Sequence, residues 1–193
     1  MLKKLLILIL ISAGLATHLK AQQEMPDRKG KFYLVPELWL SVGTRSYIEI
    51  APLIAYHLTH RFSAGLGPHY IFQSQKETPF FPYSYRTHLF GIKAFTRFSL
   101  ITNAEQFLPV NLFSELFLHA EYEAISLEKA HFYAPSYPDK GRFIYQGFLA
   151  GAGLSQRVGP LNSISFIVLW DLNESTRSPY SNPVLRFAFN IYF

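Results

Sequence analysis

Glu115, His119, Glu121 and Glu123 place three carboxylates and an imidazole at odd positions of one short stretch. By residue type they could ligate a divalent metal, because imidazole nitrogen and carboxylate oxygen are common ligands of such ions. The sequence offers no second cluster of known position to complete a site, so no metal and no cofactor are expected. Ser84 and His88 raise a different chemistry, a serine activated by a base at a rim. Their even spacing would put both on one face of a strand, but ~13 Å apart. In regular geometry they cannot form a dyad, and no catalytic residue is assigned.

The segments that must position these groups alternate with period two. In Val184–Phe193 the odd positions, Leu185, Phe187, Phe189, Ile191 and Phe193, are all apolar, and the even ones include Arg186 and Asn190. Ile164, Phe166, Val168 and Trp170 alternate against Ser163, Ser165 and Asp171. Leu116, Leu118, Ala120 and Tyr122 alternate against the acidic positions named above. Period two over about ten residues is the signature of a strand in a transmembrane β-barrel. Eight such segments are predicted: Phe32–Val42, Ser46–Leu58, Phe62–Gln73, Tyr85–Phe98, Leu112–Ile125, Arg142–Arg157, Ser163–Leu172 and Val184–Phe193. An even number of strands suits closure, which removes exposed edges. The predicted fold is all-β, an eight-stranded antiparallel transmembrane β-barrel over residues 32–193.

The breaks differ by side. Thr59–Arg61 and Val158–Asn162 are short, whereas Gln73–Ser84, Ser126–Gly141 and Asn173–Pro183 are longer and rich in Pro, Tyr and Ser. Short periplasmic turns and long outer loops give this asymmetry. Gly43–Arg45 is short for an outer loop and Ser99–Asn111 long for a turn. Pro36, Pro52 and Pro68 interrupt strands, and a bulge beside each is expected.

Met1–Ala21 reads as a secretory signal, with Lys3 and Lys4 before the apolar run Leu5–Ile11 and small residues after it. Cleavage after Ala21 or after Ala16 would both fit. Residues 22–31 then form a periplasmic segment. Without cysteine there is no disulfide framework and no lipid-modified cysteine. The chain has 18 basic and 13 acidic residues. Removing Lys3, Lys4 and Lys20 leaves 15 basic residues, so the exported chain is near +2 and a nucleic-acid partner is not expected. All 18 Phe, 12 Tyr and 2 Trp follow the leader, many near segment ends where headgroup-level girdles would lie. A lipocalin-like soluble barrel is the main competitor. The alternating last strand ending in Phe193 argues for the outer membrane, with Phe189, Ile191 and Phe193 as an assembly signal. The expected partners are therefore outer-membrane lipid and the assembly machinery.

Alternation assigns an inward polar set. Glu37, Glu49, His57 and His69 come from the first three segments, and Lys93 and Arg97 from the fourth. Glu115, His119 and Glu121 follow, then Arg157, Asp171 and Arg186. Mixed charges in a narrow lumen must pair, since an unpaired buried charge is costly. Phe80, Phe81, Tyr83, Phe132, Tyr133, Tyr137 and Tyr180 lie in the Pro- and Tyr-rich breaks and form a candidate surface for a protein or glycan partner.

Arg61–Gly67, Leu116–Glu123 and Ser178–Phe193, with its Ser-Pro-Tyr-Ser-Asn-Pro run, resemble a family of small outer-membrane β-barrel proteins of Bacteroidota. The resemblance covers most of the exported chain and implies an eight-stranded barrel in the outer membrane. Some members carry a decarboxylase label. This chain has no Gly-rich phosphate-binding loop ahead of a helix, so the resemblance brings no catalytic residues. A non-catalytic structural or accessory role is expected, with a lipid-modifying enzyme and a narrow channel as alternatives.

Overall fold

The computed structural model describes residues 28–193, apart from 42, 44, 78, 80–83, 105–113, 130–140, 159–160 and 174–176. The leader expected over residues 1–21 lies outside them. Eight strands follow one another: β1 (Phe32–Ser41), β2 (Arg45–His57), β3 (Phe62–Gln75), β4 (Tyr85–Ile101), β5 (Glu115–Glu128), β6 (Arg142–Arg157), β7 (Asn162–Asp171) and β8 (Val184–Tyr192). Each pairs antiparallel with its sequence neighbours, and β8 pairs with β1 to close the barrel. The fold is the expected one. β3 and β5 run further toward the loop end than the alternation suggests, to Gln75 and Glu128, and β4 further toward the other end, to Ile101.

One end carries the connections 58–61, 102–114 and 158–161, with the start of β1 and the end of β8. There Thr59 N donates to Phe62 O, and Thr59 Oγ1 accepts from the backbone of Arg61 and Phe62. This is the turn end. The opposite, loop end carries the connections 42–44, 76–84, 129–141 and 172–183.

Exposure follows the pleat. In β8, Val184, Arg186, Ala188 and Asn190 are buried, while Leu185, Phe187, Phe189 and Ile191 are outward and exposed, as is Phe193 beyond the strand. The outer wall is apolar on every strand, with Leu66, Phe90, Ile92 and Ile144 among its exposed side chains. The lumen is a mixture of apolar clusters and charge. Tyr33, Val35, Leu53 and Phe95 form one cluster. Ile71, Leu89, Ile125 and Leu127 form a second, and Phe117, Leu149, Ile167 and Leu169 a third.

The lumen is packed by setting large residues against glycine across the ladder. Gly65 is the registered partner of Phe95, Gly67 of Lys93, Gly147 of Glu123, Gly151 of His119 and Gly153 of Phe117. A Cβ on Gly153 would stand 2.5 Å from the Phe117 ring, and one on Gly65 2.5 Å from the Phe95 ring. The backbone is vacated so that the neighbouring ring can lie flat over it.

The prolines behave differently from expectation. The β1–β2 and β3–β4 registers pass Pro36, Pro52 and Pro68 without a shift, and Pro36 is registered opposite Pro52. The β2–β3 register is the same on either side of Pro52 and Pro68, with bridges lapsing only between Ile50–Tyr70 and Ile54–Leu66. The missing donors are accommodated by leaving out bridges, not by inserting a residue. Among the described residues the ladder shifts between Ser99 and Ile101, where β4 meets β5.

Gly153→Ala is expected to lower stability by about 1–3 kcal/mol, the usual cost of overpacking a filled core. Gly147→Ala should cost less, because the nearest atom, on the movable Tyr145 ring, is 3.0 Å away. Urea unfolding monitored by the electrophoretic shift of the folded form checks the ranking.

Candidate functional site: an ionic cluster across the lumen

Five strands bring six charged groups to the middle of the barrel. Glu37 comes from β1, Glu49 from β2, Lys93 from β4, Glu121 and Glu123 from β5, and Arg186 from β8. All are buried. Lys93 Nζ donates to Glu37 Oε2 at 2.8 Å and to Glu49 Oε1 at 3.2 Å, and lies 3.2 Å from Glu123 Oε1 and 3.7 Å from Glu121 Oε2. Arg186 donates to Glu49 Oε1 and, at 2.9 Å, to Glu123 Oε1. Its Nη2 is 3.5 Å from Glu121 Oε2. His69 and His119 flank the set, each with Nε2 at 2.9 Å from Glu49 or Glu121. Four carboxylates thus surround two permanent cations, with two imidazoles beside them.

Toward the loop end, Tyr47 OH donates to Glu49 Oε2 at 2.7 Å and Tyr180 OH donates to Glu123. The Arg186 guanidinium lies 5.2 Å over the Tyr180 ring. Burial, with Glu123 beside it, holds the Tyr180 hydroxyl well above the ordinary phenol value, so it remains a donor. Asp171 accepts from Tyr145 OH at 2.7 Å and from Ser178 Oγ at 2.5 Å, and Asp171 N donates to Asn182 Oδ1. Ser178, Tyr180 and Asn182 of the β7–β8 connection are therefore fastened down into the mouth.

Toward the turn end, Arg97 Nη1 donates to Asn190 Oδ1 at 3.0 Å and its guanidinium lies 4.2 Å over the Phe117 ring. Arg28 bonds Glu115 at 3.1 Å, and Ser99 Oγ also donates to Glu115. Tyr33 stacks on both His57 and Tyr192, at 4.7 and 5.1 Å.

Of the residues singled out in the sequence, the lumen brings together Glu37, Glu49, His69, Lys93, His119, Glu121 and Arg186. Asp171 sits above that group, and His57, Arg97 and Glu115 below it. Arg157 lies half-exposed at the turn-end rim. Tyr180, half-exposed at the mouth, turns its hydroxyl inward to Glu123. Phe80, Phe81, Tyr83, Phe132, Tyr133 and Tyr137 lie outside the described residues. His88 faces outward, with Nδ1 2.9 Å from Tyr70 OH. Sequence reasoning left Glu123 and Tyr47 out of the lumen network, although each shares parity with a residue that was included, Glu121 and Glu49.

Glu49, His69 and Glu123 offer ligand atoms within 4.8 Å of one another. Lys93 and Arg186 already hold the same carboxylate oxygens, so a divalent ion there would meet two fixed cations at contact distance. The arrangement is an ion-pair cage in which each carboxylate lies within ion-pair distance of a cation from a non-adjacent strand, the two cations being shared among the four. No protein-family model matches this chain, and no curated protein matches it.

Lys93→Met is expected to destabilise the barrel by about 3–5 kcal/mol, because it strands buried carboxylates. Adding Glu37→Gln, which removes the carboxylate closest to Lys93, should restore part of the loss. A double-mutant cycle on urea midpoints checks this; strictly additive effects would contradict the cage.

Proposed function

We propose that this chain is an exported outer-membrane barrel of the small Bacteroidota kind it resembles. On this reading it acts without catalysis, as a structural or accessory protein that binds a partner through its loops or its long turn between β4 and β5. The observation that carries the reading is the inside-out distribution of polarity: an apolar outer wall around charged, mutually paired lumen residues. A soluble barrel would reverse it, with charge outside and a greasy lumen, because charge left unpaired on the lipid side costs too much. The signal-like leader and the aromatic residues near strand ends support the same location.

The two alternatives have less support. A narrow channel needs a continuous path, and the Lys93–Arg186 cage fills the lumen at its centre. A lipid-modifying enzyme needs a serine within reach of a base, and His88 is engaged by Tyr70 at a distance from Ser84 along the strand.

Expression in a Gram-negative host, with membrane fractionation and planar-bilayer recording, tests the reading. The expected result is an outer-membrane protein whose unheated form migrates faster than the boiled one and gives no stepwise conductance. Phe189→Arg should block assembly, since a cation on the lipid face near the midplane costs about 2–4 kcal/mol. A soluble periplasmic monomer or discrete conductance steps would overturn it.

A further inference from the structure

The closing seam is incomplete at the loop end. β1 and β8 are registered at Tyr33–Tyr192, Leu34–Ile191 and Glu37–Ala188, and among the described residues no bridge lies above Glu37, although β1 continues to Ser41 and β8 begins at Val184. Other neighbouring strands keep their bridges into this region: β1 and β2 stay paired up to Ser41–Tyr47. Trp39 shows what the lapse does. By the parity of Tyr33, Val35 and Glu37 its side chain belongs to the lumen. Its ring instead stacks on Phe187, at 5.6 Å and 6° between planes, and Phe187 is an outward residue of β8. Trp39 thus spans the seam from lumen side to outer wall.

Behind it is a cavity of about 450 Å3, a size typical of small-molecule sites. Its wall includes Trp39 and Leu185 on the seam side, Tyr47, Glu49 and Gln73 on the lumen side, and Tyr85 at the rim. Tyr180, from the β7–β8 connection, forms the lid side. The chemistry of this wall is specific. Aromatic rings come from four separate segments, and the floor is Glu49, whose Oε1 is held by Lys93 and Arg186 and whose Oε2 accepts from Tyr47 OH. That cluster carries two more carboxylates than permanent cations. Asp171, just above it, is satisfied by neutral donors and adds a further negative charge. A low-dielectric cleft focuses the field of such an excess, and aromatic faces add attraction for an organic cation.

We propose that this recess binds the ammonium end of an amphipathic organic cation, with the apolar tail leaving through the β1–β8 seam beside Trp39 and Phe187. The inference deepens the proposed role by naming a ligand class for the loop end. It rests on the membrane reading only for the side from which the tail approaches. An anionic headgroup meets the carboxylate excess and is rejected. A neutral one gains the ring contacts without the field.

The chain has two tryptophans, so a Trp170→Phe variant leaves Trp39 as a single reporter within the site. The folded variant, held in octyl tetraethylene glycol micelles, is titrated with hexyltrimethylammonium, hexyl sulfate and hexanol while Trp39 emission is read. The expected result is a saturable change with the ammonium compound, and at least about tenfold weaker response to the other two. Tyr85→Leu should weaken the ammonium response by about tenfold while the folded form keeps its electrophoretic shift. Equal responses to the three probes, or none from a protein that is demonstrably folded, would overturn the proposal. Loss of the membrane reading would show instead in fractionation, with the micelle titration unaffected.

Discussion

An eight-stranded barrel is too narrow for water to fill its centre, so every inward side chain must find its partner inside the wall. In this chain the partners lie across the lumen. Arg186 on β8 reaches Glu49 on β2 and Glu123 on β5, and Lys93 on β4 reaches Glu37 on β1. These contacts join strands that share no ladder, and they work only if each strand sits in one register. A slip of one residue would send the ion pairs to the outer wall and the apolar wall residues to the lumen. Replaced by apolar groups of equal volume the cage would cost little, whereas broken by a single deletion it would be severely destabilising. Its contribution is therefore chiefly to the choice of register. The glycines opposite Lys93, Glu123 and His119 follow from the same constraint, since long charged side chains fit a narrow lumen only where a neighbour has none.

The architecture was legible in the sequence because a period of two sorts residues between two faces without reference to neighbouring strands. β8 is the clearest case: four apolar odd positions against Arg186 and Asn190 on the even side. Parity also placed Glu49, Lys93 and Arg186 together in the lumen. It could not say which of them touch, because contact depends on the stagger between strands, and that stagger is fixed by many cross-strand pairings at once. The same gap hid Tyr47 and Glu123. Parity failed outright at Trp39, where the β1–β8 ladder lapses and the ring is free to leave its assigned face. It also gave no sign that Tyr180, in a loop rich in Pro and Ser, turns inward. That direction is set by a single buried acceptor, Glu123, far away in sequence. The bulges expected beside the prolines are absent for a related reason: an outward proline costs a ladder bond, and leaving out a few bridges is cheaper than inserting a residue that would shift everything beyond it.

The two ends of the barrel are built differently. At the turn end, Arg97, Asn190, Ser163 and Ser165 are linked by short hydrogen bonds, and Tyr33, His57 and Tyr192 stack. At the loop end, Ser178, Tyr180 and Asn182 are bonded into the mouth, and the β1–β8 ladder lapses beside them, where Trp39 stacks on Phe187. On the proposed reading, the rigid closed end stands in the periplasm, and the end that can admit a ligand faces outward. The division between a fastened floor and a partly open mouth is what a binding barrel requires, and what a conducting one would avoid.

The central claim is that the apolar wall faces hydrocarbon while the charged set faces a closed lumen. Because the chain contains no cysteine, single cysteines introduced in turn at Leu185, Phe187, Phe189 and Ile191 can each carry a spin label in reconstituted vesicles. Relaxation by oxygen, which partitions into hydrocarbon, and by a water-soluble nickel complex then reports the surroundings of every position. The account predicts high oxygen and low nickel accessibility at Leu185, Phe187, Phe189 and Ile191. High nickel accessibility at the odd positions would place that wall in water and contradict it.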